Sequence, residues 1–515
     1  MGGGGKCSYS CDVNIDCMKK YLIILLLSVA SNLHAQSDDF KAFRERMLSD
    51  YSDFRKGIME RYEEFLDAAW AEYETMAGRR RVTRPKPVLA PVYTPPVKPV
   101  EPVQVVPQEP EPTAPIEPVK EPEAPVTPKV PVTPKAPTTP KAPTTPKVPS
   151  VPSSSTPQIR FELYGLQLAV PAPKLEATLH SASQQDVVVF WKQLNESGMT
   201  QSVEALQQHA VNYRLGDWCT FKAVEAYSQK WAKGNKHAER VMMHYMMLNM
   251  GYDVRMAVAG GELYLMLPFE QQVYENTYLM FNEKKYYLYP KNLPSGNSIY
   301  SCAIPADIDC GRGMNLIINP AYRLPKAKQA FSVSNGWLSV QGDINRNVIA
   351  LQQEYPSMDV YCYAASIADE EVRKSVVNQL RGQLQGMSEN EAANALLHFV
   401  QKGFEYKTDG QQFGQGVEKS FFFDETLYFP YCDCEDRSIF YAYLVRELLG
   451  LDVLLVGYPG HECTAVALST PPPTYTSFQY KGKTYYICDP TYIGADIGMC
   501  MPDFMKVQPE VEEWY

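Results

Sequence analysis

Three residues in the C-terminal part of the chain have the types and the order that covalent catalysis requires. Cys434, His461 and Asp489 follow one another at intervals of 27 and 28 residues. A thiolate can attack a carbonyl carbon, an imidazole can move protons, and a carboxylate can fix the tautomer of that imidazole. This layout can supply all three groups.

The local patterns predict the elements that would position these residues. Apolar residues at helical spacing follow Cys434 as far as Gly450, and Asp433 is a plausible N-cap. We therefore expect Cys434 in the first turn of a buried helix, whose positive end stabilises a thiolate. His461 opens a strand-like run and Asp489 ends another. The prediction is one helix start and two neighbouring strands.

Several motifs surround these residues: Ala395-Leu-Leu-His-Phe-Val-Gln401, Glu425-Thr-Leu427, Cys434-Glu-Asp436, Gly450-Leu-Asp-Val453, His461 and Asp489-Pro-Thr491. Through them the stretch 389–500 resembles a transglutaminase-like domain of the superfamily that shares the papain-type catalytic core. The resemblance covers about 110 of the 515 residues. It implies Cys434 as nucleophile, His461 as general base and acid, and Asp489 as the residue that orients the imidazole.

Two positions depart from the family pattern. The family often has glycine two residues before the nucleophile, where this chain has Cys432, so it stays open which thiol reacts. The family often has an aromatic residue after the histidine, where this chain has Glu462, so the substrate wall is undefined. We expect Gln412, with the backbone amide of Cys434, to donate hydrogen bonds to the oxyanion.

Zinc binding is an alternative role for this cluster. Its candidate ligands are Cys432, Cys434, His461, Cys463 and Cys488. Their Cys-x-Cys and His-x-Cys spacings are tighter than those of common zinc sites. We therefore predict no metal and no other cofactor.

Residues 206–290 repeat the same plan without its chemistry. Aligning Gly251 with Gly450 places Asn235 at the cysteine position, Glu262 at the histidine position and Tyr289 near the aspartate position. We therefore expect a degenerate transglutaminase-like copy, suited to binding or to supporting the active copy. Coincidental similarity between helix and strand patterns is the alternative.

Residues 1–35 read as a leader and signal peptide with a start at Met18. Met18-Lys19-Lys20 is followed by an apolar run and then by Leu33-His34-Ala35, which matches a cleavage site. The chain is expected to be exported, to the periplasm or outside the cell, and the mature protein to have no transmembrane segment. An uncleaved anchor is the alternative. Nine cysteines follow the leader. Because nine is odd, at least one thiol is unpaired or pairs between chains.

Residues 36–81 are predicted to form a long amphipathic helix. Apolar residues from Phe40 to Met76 recur with an eleven-residue repeat, which keeps one stripe along a helix. Such a helix needs a partner, and self-association through residues 37–78 into a bundle or coiled coil is our first hypothesis. Docking on another protein or on a membrane surface is the alternative.

Residues 82–157 contain 24 of the 41 prolines and are predicted to be a disordered spacer, with a docking site for a proline-binding module as the alternative. The remaining chain reads as α+β, in three pieces. These are the degenerate α/β copy (158–292), a β-rich domain (293–366) with strand-like runs at 314–318, 331–340 and 360–364, and the catalytic domain (367–515).

The sequence therefore predicts an exported cysteine enzyme that transfers acyl groups. Its substrate would be a protein or a peptide, such as a cell-wall peptide, with hydrolysis favoured over transamidation. The net charge of −10 argues against nucleic-acid binding, which usually requires a basic face. The alternative is an inactive scaffold or binding protein in cell-envelope assembly, in which both α/β copies bind.

Overall fold

The structure is a computed structural model of the chain. It describes residues 70–73, 76–77, 87–94, 157–281, 283–291, 293, 298–302 and 311–512. In these residues the fold is mixed α+β, with helices packed on antiparallel sheets. The predicted leader, residues 36–69 of the predicted helix and residues 95–156 of the predicted spacer lie outside them. None of the described helices is long and apolar enough to cross a membrane.

The helices of the described part are α1 (Gln184–Glu196), α2 (Met199–Tyr213), α3 (Gly216–Ala232), α4 (Lys236–Asn249), α5 (Arg346–Gln352), α6 (Val360–Ala365), α7 (Glu370–Gln383), α8 (Glu389–Gly403), α9 (Asp409–Gln412), α10 (Phe423–Tyr428) and α11 (Cys434–Leu449). The strands are β1 (Trp70–Tyr73), β2 (Met76–Ala77), β3 (Gln158–Leu163), β4 (Leu166–Pro171), β5 (Arg255–Ala259), β6 (Glu262–Leu267), β7 (Thr277–Phe281), β8 (Lys284–Tyr289), β9 (Ile299–Cys302), β10 (Lys328–Ser334), β11 (Ser339–Asn345), β12 (Glu405–Tyr406), β13 (Tyr431–Cys432), β14 (Val453–Tyr458), β15 (His461–Val466), β16 (Ser477–Tyr480), β17 (Lys483–Cys488) and β18 (Glu510–Glu512).

Two sheets share one strand order. The first has the order β1-β9-β5-β6-β8-β7-β2, and the second, read from its β18 edge, has the order β18-β14-β15-β17-β16. Strands β9, β5, β6, β8 and β7 therefore correspond one to one with β18, β14, β15, β17 and β16. A helix precedes each set, α4 before β5 and α11 before β14, and it packs on the second strand that follows it. We call residues 236–302 the N-terminal repeat and residues 434–512 the C-terminal repeat.

The strand registers of the two repeats also agree. Each of the pairs β5–β6, β6–β8 and β7–β8 has its counterpart 199 positions later along the chain. For example, Ala259 pairs with Glu262, and Tyr458 pairs with His461. A register slip by one residue would turn every side chain to the opposite face of the sheet. Matching registers therefore place corresponding residues on corresponding faces.

Local sequence accounts for the ends of α11. Asp433 precedes the helix, and its backbone amide donates to the Asp436 carboxylate at 3.1 Å. Gly450 ends the helix with φ of 69°, a left-handed conformation that glycine adopts without strain. Residues 434–445 are all buried, because helices pack on one side of α11 and β14 and β15 on the other. The predicted start and stop of this helix are thus where the structure has them.

Two predictions about the preceding regions are wrong for the described residues. Residues 70–73 and 76–77 of the predicted helix 36–81 instead form the strands β1 and β2. These strands pair with β9 and β7 at the two edges of the N-terminal sheet. Residues 87–93 of the predicted spacer pack against the C-terminal repeat. For β1 and β2, long-range pairing outweighs the local pattern, because a sheet edge offers unpaired backbone groups.

The predicted β-rich domain 293–366 is also wrong. Residues 360–364 lie in helix α6, residues 314–318 form no strand, and β9 belongs to the sheet of the N-terminal repeat. What remains is the hairpin β10–β11, which packs on α7 and α8. One continuous cluster of buried apolar side chains runs from Phe161 to Ile497. The predicted boundaries therefore do not separate independent cores.

Candidate active site

The structure brings His461 and Asp489 into direct contact. His461 is the first residue of β15, and Asp489 follows β17, the strand paired with β15. Nε2 of His461 lies 2.8 Å from Oδ2 of Asp489, which accepts the hydrogen bond. Both residues are buried. Adjacent antiparallel strands thus join two residues that are 28 positions apart in the chain.

The Asp489 carboxylate is held in one orientation by the loop that follows it. Its Oδ1 accepts hydrogen bonds from the backbone amides of Thr491 at 2.8 Å and Tyr492 at 3.2 Å. The buried side chain of Gln401, on α8, donates to the carbonyl oxygens of Asp489 at 3.1 Å and Ala495 at 2.9 Å. Asp489 can therefore fix the ring orientation of His461.

The surroundings of His461 favour its protonated form. Burial lowers the pKa of His461, but the Asp489 carboxylate, with contributions from Glu462 and Glu435, outweighs burial and raises the pKa above its ordinary value of 6.5. The other ring nitrogen, Nδ1, is buried and has no hydrogen-bond partner among the described residues. Nδ1 is therefore the nitrogen that remains for proton exchange.

A stacked aromatic ring covers the imidazole of His461. Phe504, in the short turn Pro502–Phe504, lies parallel to it with ring centroids 5.6 Å apart and an interplanar angle of 6°. Phe504 also stacks on Tyr458, with centroids 4.8 Å apart. Residue 462 is glutamate, and the aromatic ring against the imidazole comes instead from a segment 43 positions beyond the histidine.

Cys434 is the first residue of α11, and its side of the helix faces β15. The hydroxyl of Ser438 lies 2.7 Å from the Cys434 carbonyl oxygen and 3.2 Å from the Glu462 carbonyl oxygen. The start of the helix therefore adjoins the start of the strand that carries His461. The Cys434 thiol donates to Oε2 of Glu435 at 3.2 Å. Glu435, which the sequence analysis did not single out, thus bonds the thiol and also raises the pKa of His461.

Carboxylates accept hydrogen bonds from backbone amides of the loops around the start of α11. Asp436 accepts backbone hydrogen bonds from Phe421 at 2.8 Å and Asp433 at 3.1 Å. Asp409 accepts one from the amide of Lys419 at 2.7 Å. Among the described acids, Asp433 and Glu435 have a carboxylate oxygen within 4.8 Å of the Cys434 sulfur. Because like charge disfavours a thiolate, Cys434 needs a positive counter-charge to ionise here.

The structure separates the two candidate thiols by environment. Cys432 lies in β13, 1% exposed, and burial raises its pKa to about 11 despite the nearby guanidinium of Arg437. A thiol with that pKa is protonated at neutral pH and reacts slowly. Cys434 is equally buried, also 1% exposed, but it begins a helix. The seven cysteines whose side chains the structure describes are all buried.

The predicted zinc ligands are only partly brought together. Among the described residues His461 and Cys463 form a close group with Asp489, within 4.8 Å of one another. Burial raises the pKa of Cys463 well above its ordinary value, and Nε2 of His461 is already bonded to Asp489. Cys432, Cys434 and Cys488 are not in this group, so it contains only two of the five predicted zinc ligands.

Gln412 lies near the start of α11. It ends helix α9, whose first residue, Asp409, donates its backbone amide to the Asp433 carboxylate at 3.3 Å. The side-chain oxygen of Gln412 is buried and has no hydrogen-bond partner among the described residues. Gln412 therefore lies about one helical turn after Asp409, the residue that bonds to Asp433 at the start of α11.

The corresponding positions of the N-terminal repeat carry structural side chains. The side chain of Asn235 accepts from the Ala238 amide at 3.0 Å and donates to two carbonyl oxygens of the loop before α1. Glu262 opens β6 and is exposed. The hydroxyl of Tyr289 donates to Glu225 at 2.5 Å. None of the three can serve as a thiol nucleophile or as its imidazole base.

Comparison with known proteins found no relative of the chain. No family model, curated protein or solved structure matches the chain.

Proposed function

We propose that the protein is an exported, transglutaminase-like cysteine enzyme that transfers acyl groups through a thioester on Cys434. The observation that carries the proposal is the buried pair of His461 and Asp489. Its carboxylate is fixed by two backbone amides, and its second imidazole nitrogen has no partner among the described residues. The cysteine at the start of α11 adjoins this pair through Ser438.

In this proposal Nδ1 of His461 takes the proton of the Cys434 thiol, and Asp489 stabilises the imidazolium that forms. The thiolate attacks the carbonyl carbon of an amide, and the imidazolium returns the proton to the departing amine. A thioester remains. Water, deprotonated by His461, then attacks the thioester and releases a carboxylic acid and the free thiol. An amine in place of water would give transamidation.

The substrate in this proposal is a protein or a peptide, with a cell-wall peptide as one candidate. Hydrolysis is favoured because water is always present, whereas no residue of the described part provides an evident amine site. Gln412 and the backbone amide of Cys434 are the proposed donors to the oxyanion of the tetrahedral intermediate.

Alkylation of the purified protein with iodoacetamide, mapped by mass spectrometry across pH, tests the proposal. We expect fast labelling of Cys434 that is half-maximal below about pH 8, where a cysteine of ordinary pKa is still mostly protonated. Cys432→Ser should leave the rate unchanged. Slow labelling at Cys434, or equal labelling of many cysteines, would contradict the proposal.

An inactive scaffold is the second candidate, and one observation favours it. The Cys434 thiol donates to the carboxylate of Glu435, a bond that keeps the sulfur protonated. Glu435→Gln separates the two candidates. In an enzyme the neutral side chain should change the labelling rate of Cys434 and its pH dependence. In a scaffold the labelling should stay slow in both proteins.

A further inference from the structure

A short proline-containing segment crosses the face of the C-terminal repeat beside His461 and Asp489. We call residues 87–93 (Pro-Val-Leu-Ala-Pro-Val-Tyr) the strap. Their composition belongs to the proline-rich region, yet they bond to residues that follow them by more than 300 positions. The strap is therefore a docked peptide rather than part of a free spacer.

Backbone hydrogen bonds hold the strap in the manner of an added β-strand. Val92 forms a parallel bridge with Ile493. The amide of Ile493 donates to the carbonyl of Pro91 at 2.8 Å, and the amide of Tyr93 donates to the carbonyl of Ile493 at 2.8 Å. At the other end, the hydroxyl of Tyr406 donates to the carbonyl of Pro87 at 2.9 Å. Proline fits such a strand because the bonds use its carbonyl and not its missing N–H.

Both ends of the strap rest on elements that position the candidate catalytic residues. Tyr492, whose amide donates to Asp489, packs edge-on against Tyr93 with ring centroids 5.9 Å apart. Tyr93 also packs on the apolar cluster that includes Phe504, the ring stacked on His461. At the other end Tyr406 pairs with Cys432, two residues before Cys434. The strap thus connects the loop after Asp489 with the strand before Cys434.

The strap is only lightly attached. Val88, Leu89 and Val92 are 65%, 78% and 67% exposed, so its outer face contacts solvent. The bonds that hold it involve backbone atoms and one aromatic ring, which many extended peptides can supply. A second peptide could therefore occupy the same surface if the strap left it.

We propose that the surface formed by Tyr406, Tyr492 and Ile493 is a binding site for an extended, proline-containing peptide, which the strap fills as an intramolecular competitor. Peptide binding here is independent of catalysis. The consequence for the substrate rests on the proposed function. A peptide in this site would extend beside Asp489 and Cys434, so extended proline-containing chains would be the substrate class. The strap would then slow the access of such chains to the site.

Fluorescence anisotropy with a labelled peptide of residues 87–93 tests the site. The proteins are two full chains that carry Cys434→Ala, one with the native strap and one with Val92→Gly and Tyr93→Gly. A tethered competitor acts at an effective concentration of about millimolar. We therefore expect the peptide to bind the strap variant at least about 10-fold more tightly than the native strap protein. Equal affinity, or no binding to either chain, would overturn the proposal.

Matched controls separate a specific site from general adhesion. Val105→Gly with Val106→Gly, elsewhere in the proline-rich region, should leave peptide affinity at its native-strap value. A peptide with an N-methyl group on the amide equivalent to Tyr93 cannot donate to Ile493, and it should bind the strap variant at least about 10-fold more weakly. Equal binding of the methylated peptide would refute the strand-like mode.

The outcome is distinguishable from that of the proposed function. Tight binding to the strap variant with an unreactive Cys434 in the native thiol protein would support the peptide site and refute the enzyme. A reactive Cys434 without peptide binding would refute the peptide site and leave the enzyme standing.

Discussion

The two repeats have the same strand order and the same registers, yet they differ at the positions that could do chemistry. The C-terminal repeat carries Cys434 at a helix start, His461 at a strand start and Asp489 after the paired strand. The N-terminal repeat has Asn235 and Glu262 at the aligned positions and Tyr289 near the aspartate position. A shared scaffold therefore fixes positions, while three side chains decide whether those positions can react.

Each repeat also contains one buried histidine. The surroundings favour the neutral form of one imidazole and the protonated form of the other. His244, on α4, bonds through Nε2 to the carbonyl of Val254 at 2.9 Å, and burial lowers its pKa to about 4. His461 is buried as well, but Asp489 raises its pKa above 6.5. Burial alone keeps an imidazole neutral, and only a fixed carboxylate makes a buried imidazolium favourable.

The largest expected difference between the repeats follows from removing the base. His461→Ala should slow alkylation of Cys434 by about 10²- to 10⁴-fold, the range typical of losing a general base. The matched change in the N-terminal repeat, Glu262→Ala, should leave the rate unchanged because this side chain is exposed. Rates come from mass spectrometry of iodoacetamide-treated protein. A similar rate in both variants would mean that His461 does not act on the thiol.

Neutralising the orienting acid should have a smaller effect of the same kind. In Asp489→Asn, burial is opposed only by Glu462 and Glu435, so the pKa of His461 should fall. A lower pKa leaves a smaller fraction of imidazolium at neutral pH. NMR titration of the imidazole C2 proton measures the pKa, and alkylation at Cys434 should slow in parallel.

Tyr289→Phe is the matched control in the N-terminal repeat. It removes the hydrogen bond to Glu225 and should change neither the pKa of His461 nor the labelling rate. An unchanged pKa of His461 in Asp489→Asn would show that the carboxylate does not determine the charge of the ring.

The two histidines should give stability–pH slopes of opposite sign. The folded pKa of His244 lies below its unfolded value, so its contribution is present above about pH 6.5 and is lost as pH falls toward 4. The loss amounts to about 3 kcal/mol of unfolding free energy. His461 has a raised folded pKa, so its contribution is present below about pH 6.5 and is lost as pH rises through the folded pKa.

Urea unfolding at several pH values measures these slopes. His244→Gln, which can still donate to the Val254 carbonyl, should flatten the acid side of the stability profile, and His461→Gln should flatten the alkaline side. If both variants changed the same side of the profile, the contrast between the two histidines would be wrong.

The smallest expected effect concerns the aromatic wall of the C-terminal repeat. Phe504→Ala removes the ring stacked on His461 and should alter the alkylation rate by about three- to tenfold, because such contacts contribute about 0.5–1.5 kcal/mol. Phe478→Ala is the control, since that ring stacks on Tyr485 in the same sheet. Equal effects of the two changes would remove the proposed role of Phe504.

Local sequence was sufficient to predict the elements that carry the candidate catalytic residues. The apolar spacing after Cys434, the acid before it and Gly450 define α11, because caps and periodicity act within a few residues of the chain. The same reasoning aligned Gly251 with Gly450, and the strand registers follow that alignment at a constant offset of 199. The catalytic assignment of these residues stays a prediction.

Tertiary structure decided what local patterns do not encode. Residues 70–77 have helical spacing but supply β1 and β2, and residues 360–364 have a strand-like pattern but form α6. Phe504 reaches His461, and the strap reaches Ile493, across long stretches of chain. Such contacts depend on which sheet edges and apolar surfaces remain uncovered once the core has formed. Sequence alone therefore placed the candidate nucleophile, base and acid on their elements, whereas packing determined what covers them and which peptide lies beside them.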